Sequence, residues 1–373
     1  MTLFRSLLLS FAAVASAPAH AIAAPRKVPL HADAFDLTLA RSVFERRVGG
    51  RDALCLDGPV FLKQVRLRSG VISVDVANER RRHFANILFR GADTRNYEQV
   101  YARMHKSRQP DALQYTPELG GATNWQLFIE EQAGVDFGDA LWVTLEVAFN
   151  SDRARFSVRS DVDEAHVLVD DLVLPDARGL IGLGALQGAC FSNFQYDDAA
   201  PEIQIADQSA DAPDGLIREW GLSQSRAFET FPMRIQNSIG AWENVATQDN
   251  GLLLIGGHRE QRVSGSFEDN SLDVVDVGVV ITSRKKRDVA LSFDLSDQGA
   301  VYLNGRRLHR YDNTFRRKGL TYRGDVLLGA QSLTLPLKRG RNELIVSIAE
   351  RANGWGVIAA LEDSDGLTIE PLE

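Results

Sequence analysis

The sequence has few cysteines, no excess of basic charge and, after its start, no long apolar run. Its 373 residues include two cysteines and three methionines, and 50 Asp and Glu residues outnumber 42 Lys and Arg, for a formal net charge of -8. Binding to a phosphate backbone needs a basic excess, so nucleic acid is not an expected partner. After residue 21 no segment is long and apolar enough to form a membrane helix, so we expect no transmembrane anchor in the mature chain.

The apolar run at the start has the features of a signal peptide. Arg5 supplies positive charge, residues 7–17 form the apolar part, and residues 19–21 read Ala-His-Ala. This order matches a cleavable export signal, so we predict a signal peptide over residues 1–21 and a periplasmic or secreted product. An oxidising compartment permits a disulfide between Cys55 and Cys190. The alternative, two buried thiols that behave as small apolar side chains, stays open.

Motifs for several kinds of catalysis are missing. The sequence contains no G-x-S-x-G, no H-E-x-x-H and no paired C-x-x-C, and its seven histidines are scattered. Nucleophilic serine chemistry and histidine-based or cysteine-based metal sites therefore have no local support. We predict no cofactor from these patterns.

Periodicity predicts an all-β protein. Short alternating segments follow one another from residue 35 onward, and a period of 3.6 residues is nearly absent. They include short strands over 53–57 and 60–62 on either side of a Gly58-Pro59 turn, and a strand over 125–129. This pattern is typical of two antiparallel β-sandwich (jelly-roll) domains. Residues 197–214 are acidic, contain Ala and Pro, and hold few large apolar side chains, as linkers do. We therefore predict one domain over 30–198, a linker over 199–214 and a second domain over 215–373.

The second half carries a hairpin signal and several alternating strands. Asn304-Gly305 stands between two strand-like segments, and this dipeptide favours a type I′ turn. The apolar residues of the strands fall at every second position. They are Val289, Leu291, Phe293 and Leu295, then Leu333, Leu335 and Leu337, then Leu344, Val346 and Ile348.

Residues 96–105 form the most informative strand, because its two faces differ in chemistry. One face is apolar and carries Val100, Ala102 and Met104. The other face carries Tyr97, Gln99, Tyr101, Arg103 and His105, and the neighbouring strand adds Gln114. Rings can stack on the C–H faces of a sugar while planar polar groups bond its hydroxyls. The pattern predicts a solvated sugar-binding face in which Tyr101 is not needed for stability.

Five segments resemble a known group of domains. They are GVISVDV at 70–76, FRGAD at 89–93, NYEQVYAR at 96–103, LQYTP at 113–117 and NWQL at 124–127. Together they are similar to the laminin-G-like domains of the concanavalin A-like lectin/glucanase superfamily. The resemblance implies a jelly-roll sandwich whose concave face often holds carbohydrate. Bacterial relatives include 3-keto-disaccharide hydrolase-like proteins, so the resemblance also leaves cleavage open.

The second half resembles another group. The hairpin at 302–306, RGRNEL at 339–344 and NGWG at 353–356 look like the galactose-binding-like jelly rolls that are appended to many glycosidases. Domains of that group bind sugars in some proteins and brace a neighbouring domain in others. Carbohydrate is therefore the expected partner from both halves.

Acidic residues near the predicted groove are candidates for catalysis and for metal binding. A glycosidase needs two acids across the scissile bond, and Glu98 and Glu118 flank the groove. Glu98, however, has the parity of the core-facing residues, which favours a buried ion pair with Arg90 instead. The resemblance implies a possible Ca²⁺ at loop carboxylates, with Asp93 as the candidate ligand, although one Asp falls short of the six or more oxygens that Ca²⁺ takes.

Three functions follow from these observations. The first is an exported carbohydrate-binding protein. The alternative is a glycoside hydrolase that uses its second domain as an accessory module, and the third is a structural envelope protein. The absence of a clear acid pair favours binding, whereas the hydrolase relatives favour cleavage.

Overall fold

The computed structural model describes residues 24–203, 213–235, 241–262 and 270–373. The predicted signal peptide lies outside these residues, as do positions 204–212 of the predicted linker. Among the described residues the helical segments are four single 3-10 turns, at Ala32–Ala34, Met104–Lys106, Trp125–Leu127 and Ile255–Gly257. None of the helices in the described ranges has the length and hydropathy to span a membrane. The remaining regular structure is antiparallel strand, so the predicted all-β class is confirmed.

Residues 24–203, called the first half below, form one strongly folded sheet. Its strands are β1 (Arg26–Lys27), β2 (Phe35–Asp36), β3 (Ser42–Val48), β4 (Arg51–Leu67), β5 (Gly70–Ala77), β6 (Phe84–Gly91), β7 (Tyr97–Ala102), β8 (Leu113–Leu119), β9 (Ala122–Thr123), β10 (Gln132–Ala133), β11 (Trp142–Phe149), β12 (Ala154–Arg159), β13 (Glu164–Val169) and β14 (Gly179–Asp197).

The long strand β14 joins two layers of this sheet. Its first part pairs with β6, and the order continues through β7, β8 and β10. Its last part pairs with β5, and the order continues through β11, β12 and β13. The register shifts between Ala185 and Ala189 on the β4 side, where the strand passes from one layer to the other. Each layer therefore presents one face to a shared interior.

The interior of the first half is filled by the alternate residues that the sequence pattern assigns to it. Val74 of β5 and Leu145 of β11 face Ile87 of β6 and Val100 of β7, and all four are fully buried. Burial of large aliphatic side chains of this kind contributes about 1.5–3 kcal/mol each. This interior fixes which face of β7 points outward.

Cys55 and Cys190 form a disulfide with an S–S distance of 2.05 Å. They are direct neighbours across β4 and β14. The structure thus decides between the two alternatives that the sequence left open.

Residues 213–373, the second half, form two further sheets. The strands are β15 (Glu219–Leu222), β16 (Arg226–Ala227), β17 (Glu243–Ala246), β18 (Leu252–Leu254), β19 (Asp273–Ser283), β20 (Arg287–Ser296), β21 (Gln298–Leu303), β22 (Arg306–Asp312), β23 (Gln331–Leu337), β24 (Gly340–Glu350), β25 (Gly356–Leu361) and β26 (Leu367–Pro371). One sheet has the order β17-β15-β19-β24-β21-β22, with β16 and β26 also on β19, and the other has the order β18-β25-β20-β23.

The strand predictions for the second half are confirmed. The apolar face of β20 packs in the core between the two sheets, with Leu291 and Leu295 fully buried. The hairpin is formed by β21 and β22. Asn304 and Gly305 have φ values of 50° and 79°, as a type I′ turn requires, and Gly305 adopts this angle without steric cost.

Three local predictions for the first half are wrong. Two short strands were expected around a turn at Gly58, but β4 runs unbroken through it because the chain keeps pairing on both sides, with β3 before it and β14 after it. The strand predicted over 96–105 ends at Ala102, and a 3-10 turn follows. A strand was expected over 125–129, whereas Trp125–Leu127 is a 3-10 turn that contacts the second half.

The two halves pack against each other. Leu252, Leu254 and Val326 of the second half belong to the same buried apolar cluster as the interior of the first half. The backbone of Gln126 continues the contact, because its N–H donates to the carbonyl of Asn353 (3.1 Å) and its carbonyl accepts from the N–H of Val326 (2.9 Å). This contact closes one side of the cavity described next.

Candidate functional site

A cavity of about 710 Å³ lies between the two halves, and we call it the cleft. The first half contributes the outward face of β6, β7 and β8, including Phe84, Asn86, Tyr97, Gln99, Tyr101 and Glu118. The second half contributes the segment 315–323 and Asn353.

The alternation of β7 brings its polar face to the cleft. Tyr97, Gln99 and Tyr101 line the wall, and Arg103 and His105 extend it through the turn that follows the strand. Of the six residues predicted to bind ligand, these five share the cleft. Gln114 is fully buried behind Tyr101 instead: its carbonyl oxygen accepts from the Tyr101 hydroxyl (2.5 Å), and its amide nitrogen donates to two backbone carbonyls.

The expectation of a solvated face is wrong. Tyr97 is 6% exposed and Tyr101 is 5% exposed. The physical reason lies mainly within the first half. Tyr97 stands edge-on to Phe61, with ring centroids 5.3 Å apart, in a buried cluster with Leu88 and Leu180. Tyr101 stands edge-on to Phe84, with centroids 5.2 Å apart, and Phe315 and Arg323 of the second half line the same cleft. Burial raises the pKa of the Tyr101 phenol to about 12, so the hydroxyl remains a hydrogen-bond donor at neutral pH.

A chain of planar polar groups crosses the strands at one end of the cleft. The amide of Asn86 donates to the carbonyl oxygen of Gln99 (2.6 Å), and the Gln99 amide donates to the carboxylate of Glu118 (3.1 Å). Burial raises the pKa of Glu118 to about 7, and the hydrogen bond from Gln99 opposes this only in part. Glu118 is therefore a group that holds or releases a proton near neutral pH.

Glu98, the other catalytic candidate, points away from the cleft. It is fully buried, and its carboxylate accepts from the Tyr115 hydroxyl (2.7 Å) and from the N–H of Leu174 (2.7 Å). The guanidinium of Arg90 donates to backbone carbonyls, among them those of Ser151 and Leu174, rather than to Glu98. The parity of Glu98 was interpreted correctly, but the proposed ion pair does not form.

Asp93, the candidate Ca²⁺ ligand, organises a turn. Its carboxylate accepts from the N–H groups of Arg95 (2.7 Å) and Asn96 (2.8 Å) and from the Asn96 side-chain amide. In the part of the chain that the structure describes, no group of three or more His, Cys, Asp or Glu side chains is placed to hold a metal ion.

A basic cluster at the other end of the cleft connects the two halves. It consists of Arg103, Lys106, Asp111 and Arg323, and all three cations reach the Asp111 carboxylate, with Arg103 at 2.9 Å and Lys106 at 2.5 Å. Burial raises the pKa of Asp111, but the hydrogen bond from Lys106 and the three positive charges outweigh it, so the net shift is downward. The carboxylate therefore stays ionised.

Two of these cations lie near aromatic rings of the cleft wall. The guanidinium of Arg103 lies 5.3 Å from the ring of Tyr101 and 5.6 Å from that of Phe84. The guanidinium of Arg323 lies 5.1 Å from the ring of Trp125. Contacts of this type hold a guanidinium plane in place while it remains a hydrogen-bond donor.

His105 lies at the same end of the wall. Its ring stands edge-on to Phe84, with centroids 6.2 Å apart. Burial, followed by the charge of Arg103, lowers the pKa of His105, so the ring is neutral at neutral pH and offers one donor and one acceptor.

The contribution of the second half to the cleft was not predicted from the sequence. Phe315, Arg316, Leu320 and Arg323 all line the cleft, and Leu320 is 85% exposed at its rim. A signal for them exists, since residues 311–323 (YDNTFRRKGLTYR) hold three aromatic and four basic side chains. Sequence alone does not show that this segment faces β7 across the domain contact.

Comparisons with known proteins identify no family. No family model matches the chain, and no curated protein matches it.

Among solved structures, a carbohydrate-binding module (CBM66) from Bacillus subtilis is 15% identical over 44% of this chain and 95% of its own, with a TM-score of 0.33. The exoplasmic/lumenal domain of VIP36, bound to Ca²⁺ and Man3GlcNAc, is 9% identical over 50% of this chain and 92% of its own, with a TM-score of 0.34.

A xylan beta-1,4-xylosidase from Bacillus halodurans C-125 is 14% identical over 46% of this chain, with a TM-score of 0.32. The match spans 38% of the xylosidase, so well over half of that enzyme has no counterpart in the present chain. All three TM-scores are too low for these similarities to carry an argument about function, which therefore rests on the geometry of the cleft.

Proposed function

We propose that the protein binds a carbohydrate in the cleft between its two halves. The observation that carries the proposal is the wall of the cleft, which combines the rings of Tyr97, Tyr101 and Trp125 with the planar amides of Asn86 and Gln99. Rings favour the apolar faces of a sugar, and fixed amides bond its hydroxyls.

The size of the cleft agrees with a short oligosaccharide. Its volume of about 710 Å³ lies within the range of small-ligand sites, roughly 300–1,000 Å³. Strand β7 extends for roughly 20 Å at about 3.3 Å per residue, which is enough to contact several sugar units. The ligand would touch both halves, so the second half takes part in recognition.

The arrangement of carboxylates favours binding over hydrolysis. Asp111 and Glu118 are the two carboxylates of the cleft wall among the described residues. Glu118 pairs with Tyr97 at one end of β7, whereas Asp111 contacts Arg103 beyond its other end. The positions on β7 that they contact therefore lie roughly 20 Å apart along the strand, an arrangement unlike the close acid pairs of glycosidases, which stand about 5–9.5 Å apart.

The raised pKa of Glu118 is the one observation that favours catalysis, which is the second candidate function. A half-buried carboxylic acid with a pKa of about 7 in a binding cleft suits general acid or base chemistry. Product analysis after incubation with each bound glycan tests this. A Glu118→Gln variant that still binds but no longer produces fragments would establish an enzyme, and unchanged glycans with the wild-type chain would exclude this role for the glycans tested.

The binding proposal is tested on an immobilised glycan panel with the mature chain, followed by titration calorimetry. Phe315→Ala removes a ring of the cleft wall and should weaken binding at least tenfold. Phe44→Ala is the matched control, because Phe44 is 52% exposed on β3 and does not line the cleft. A panel on which no glycan binds, or equal losses for both variants, would overturn the proposal.

We also propose that the two domains belong to the families that the sequence resembles, and that the protein is exported. The layered antiparallel sheets support a laminin-G-like first domain of the concanavalin A-like lectin/glucanase superfamily and a galactose-binding-like second domain, near 30–198 and 215–373. The disulfide supports an oxidising compartment, periplasmic or extracellular. N-terminal sequencing of exported material should begin at Ile22 or within a few residues, and recovery of intact Met1 there would contradict the predicted cleavage.

A further inference from the structure

The charge of the cleft is opposite to that of the whole chain. The protein carries a formal net charge of -8. Six cationic side chains nevertheless line the cleft: Arg41, Arg82, Arg103, Lys106, Arg316 and Arg323. Four carboxylates contact them or share the wall, namely Asp57, Asp111, Asp325 and Glu118. At least two positive charges are therefore left uncompensated.

Part of this surplus lies in the basic cluster. Three cations share the Asp111 carboxylate, and Asp325 supplies the second acid, to Arg323, at 3.0 Å. The Nε of Arg103 and one terminal nitrogen of Arg323 are buried without a hydrogen-bond partner. Charged donors are seldom left in this way, because each loses its hydration without replacement. The cluster therefore projects a positive potential into a cavity with low-dielectric walls, which concentrate the field.

The remainder of the surplus lies at the rim. Arg82 of the first half and Arg316 of the second half are exposed, line the cleft and form no ion pair with a described carboxylate. The Arg316 guanidinium lies 4.8 Å from the ring of Phe315, which lines the same wall. Arg41, by contrast, is engaged by Asp57 in two hydrogen bonds. Arg82 and Arg316 are thus free to accept an oxyanion from solution.

We propose that the carbohydrate bound in the cleft is acidic, and that carboxylate or sulfate groups on its sugar units are bound at the rim, where Arg82 and Arg316 line the cleft. This inference rests on the proposed function, since it concerns the ligand of the same site. The guanidinium fork can donate two hydrogen bonds at once to the oxygens of a carboxylate or a sulfate, and the aromatic wall of the cleft contacts the sugar beside it. A neutral sugar would gain affinity from stacking on the rings but none from the surplus positive charge.

The test compares two double variants that remove the same charge. Arg82→Gln/Arg316→Gln removes one rim arginine from each half. Arg155→Gln/Arg339→Gln removes one exposed arginine from each half at positions outside the cleft. Titration calorimetry measures the binding of hexuronate, sulfated and neutral oligosaccharides that a glycan panel provides. Hexuronates whose carboxyl groups have been reduced then show whether the bound anionic group is a carboxylate or a sulfate. Circular dichroism verifies that each variant is folded.

We expect acidic oligosaccharides to bind at least tenfold tighter than their neutral counterparts, and the rim variant to lose that margin. The control variant should keep it within twofold, and added salt should weaken only the acidic ligands. If neutral glycans bind equally well and the rim variant is unaffected, the inference fails while carbohydrate binding stands. If no glycan of any class binds, both fail.

Discussion

Arg323 of the second half donates to the carboxylate of Asp111 of the first half, across the domain contact and on the wall of the cleft. One carboxylate thus serves the site and the packing of the two halves at once. Arg323 is 212 positions from Asp111 in sequence, so the contact exists only after both halves have folded. A ligand in the cleft lies beside this contact.

Removing the charge of Asp111 should destabilise the protein more than removing that of Asp325. Asp111→Asn leaves three cations without their shared counter-ion, and breaking such a buried pair costs about 3 kcal/mol. Asp325→Asn leaves the Asp111 contacts in place and should cost about 1 kcal/mol or less. Urea denaturation at neutral pH measures both. Equal losses would mean that the cluster does not hold the halves together.

The same cluster predicts acid sensitivity. Because the folded pKa of Asp111 lies below its ordinary value, its contribution to stability is present above that ordinary value and is lost as the pH falls through the folded pKa. The thermal midpoint of the wild type should therefore fall more steeply than that of Asp111→Asn as acid is added below pH 4. Parallel curves would contradict the assignment.

Cleavage of the predicted linker should leave the two halves associated. Limited proteolysis is expected to cut between residues 197 and 214 and to give two resistant fragments. The shared apolar cluster with Leu252 and Val326, together with the contact of Arg323 with Asp111, should keep the fragments together. They should co-elute on size exclusion and separate in urea. Separate elution under native conditions would show that the halves do not need each other.

Glu118 should make stability fall as the pH rises towards neutrality. Its folded pKa of about 7 lies above the ordinary value, so the folded state holds a proton that the unfolded state has already released. The free energy of unfolding should therefore decrease between about pH 5 and 7, by on the order of 2 kcal/mol after allowance for partial exposure.

Glu118→Gln should flatten that part of the pH profile. Glu131, whose pKa burial also raises to about 7, does not line the cleft, so Glu131→Gln is the comparison. Each variant should remove its own share of the pH dependence, and only Glu118→Gln should alter the pH dependence of glycan affinity. A Glu118→Gln profile that superimposes on that of the wild type would show that this carboxyl is not protonated near neutrality.

The sequence predicted the strands well because their two faces differ in polarity. The faces of β7 follow directly from the alternation of Val100 with Tyr101, and the parity of Glu98 correctly placed it in the interior. The burial of Tyr97 and Tyr101 was not predictable, because it depends on tertiary contacts such as the packing of Tyr97 on Phe61. Phe315 and Arg323 reach the site through a contact between distant segments, and no local pattern encodes that contact.

The last prediction concerns Tyr101 and its neighbour Val100. Tyr101→Ala should weaken glycan binding by about 1–3 kcal/mol, as loss of a stacking ring does elsewhere. Because Tyr101 is buried and its hydroxyl donates to Gln114 (2.5 Å), the same change should also lower stability, by about 3 kcal/mol. Tyr101→Phe keeps the ring, so it should lose about 1 kcal/mol of stability and preserve affinity.

Val100 faces the interior, so Val100→Ala should cost about 2 kcal/mol of stability while preserving affinity in the folded fraction. Thermal melts and titration calorimetry on the same samples separate the two effects. If Val100→Ala reduces affinity as much as Tyr101→Ala, the ring of Tyr101 does not contact the ligand, and the site lies elsewhere.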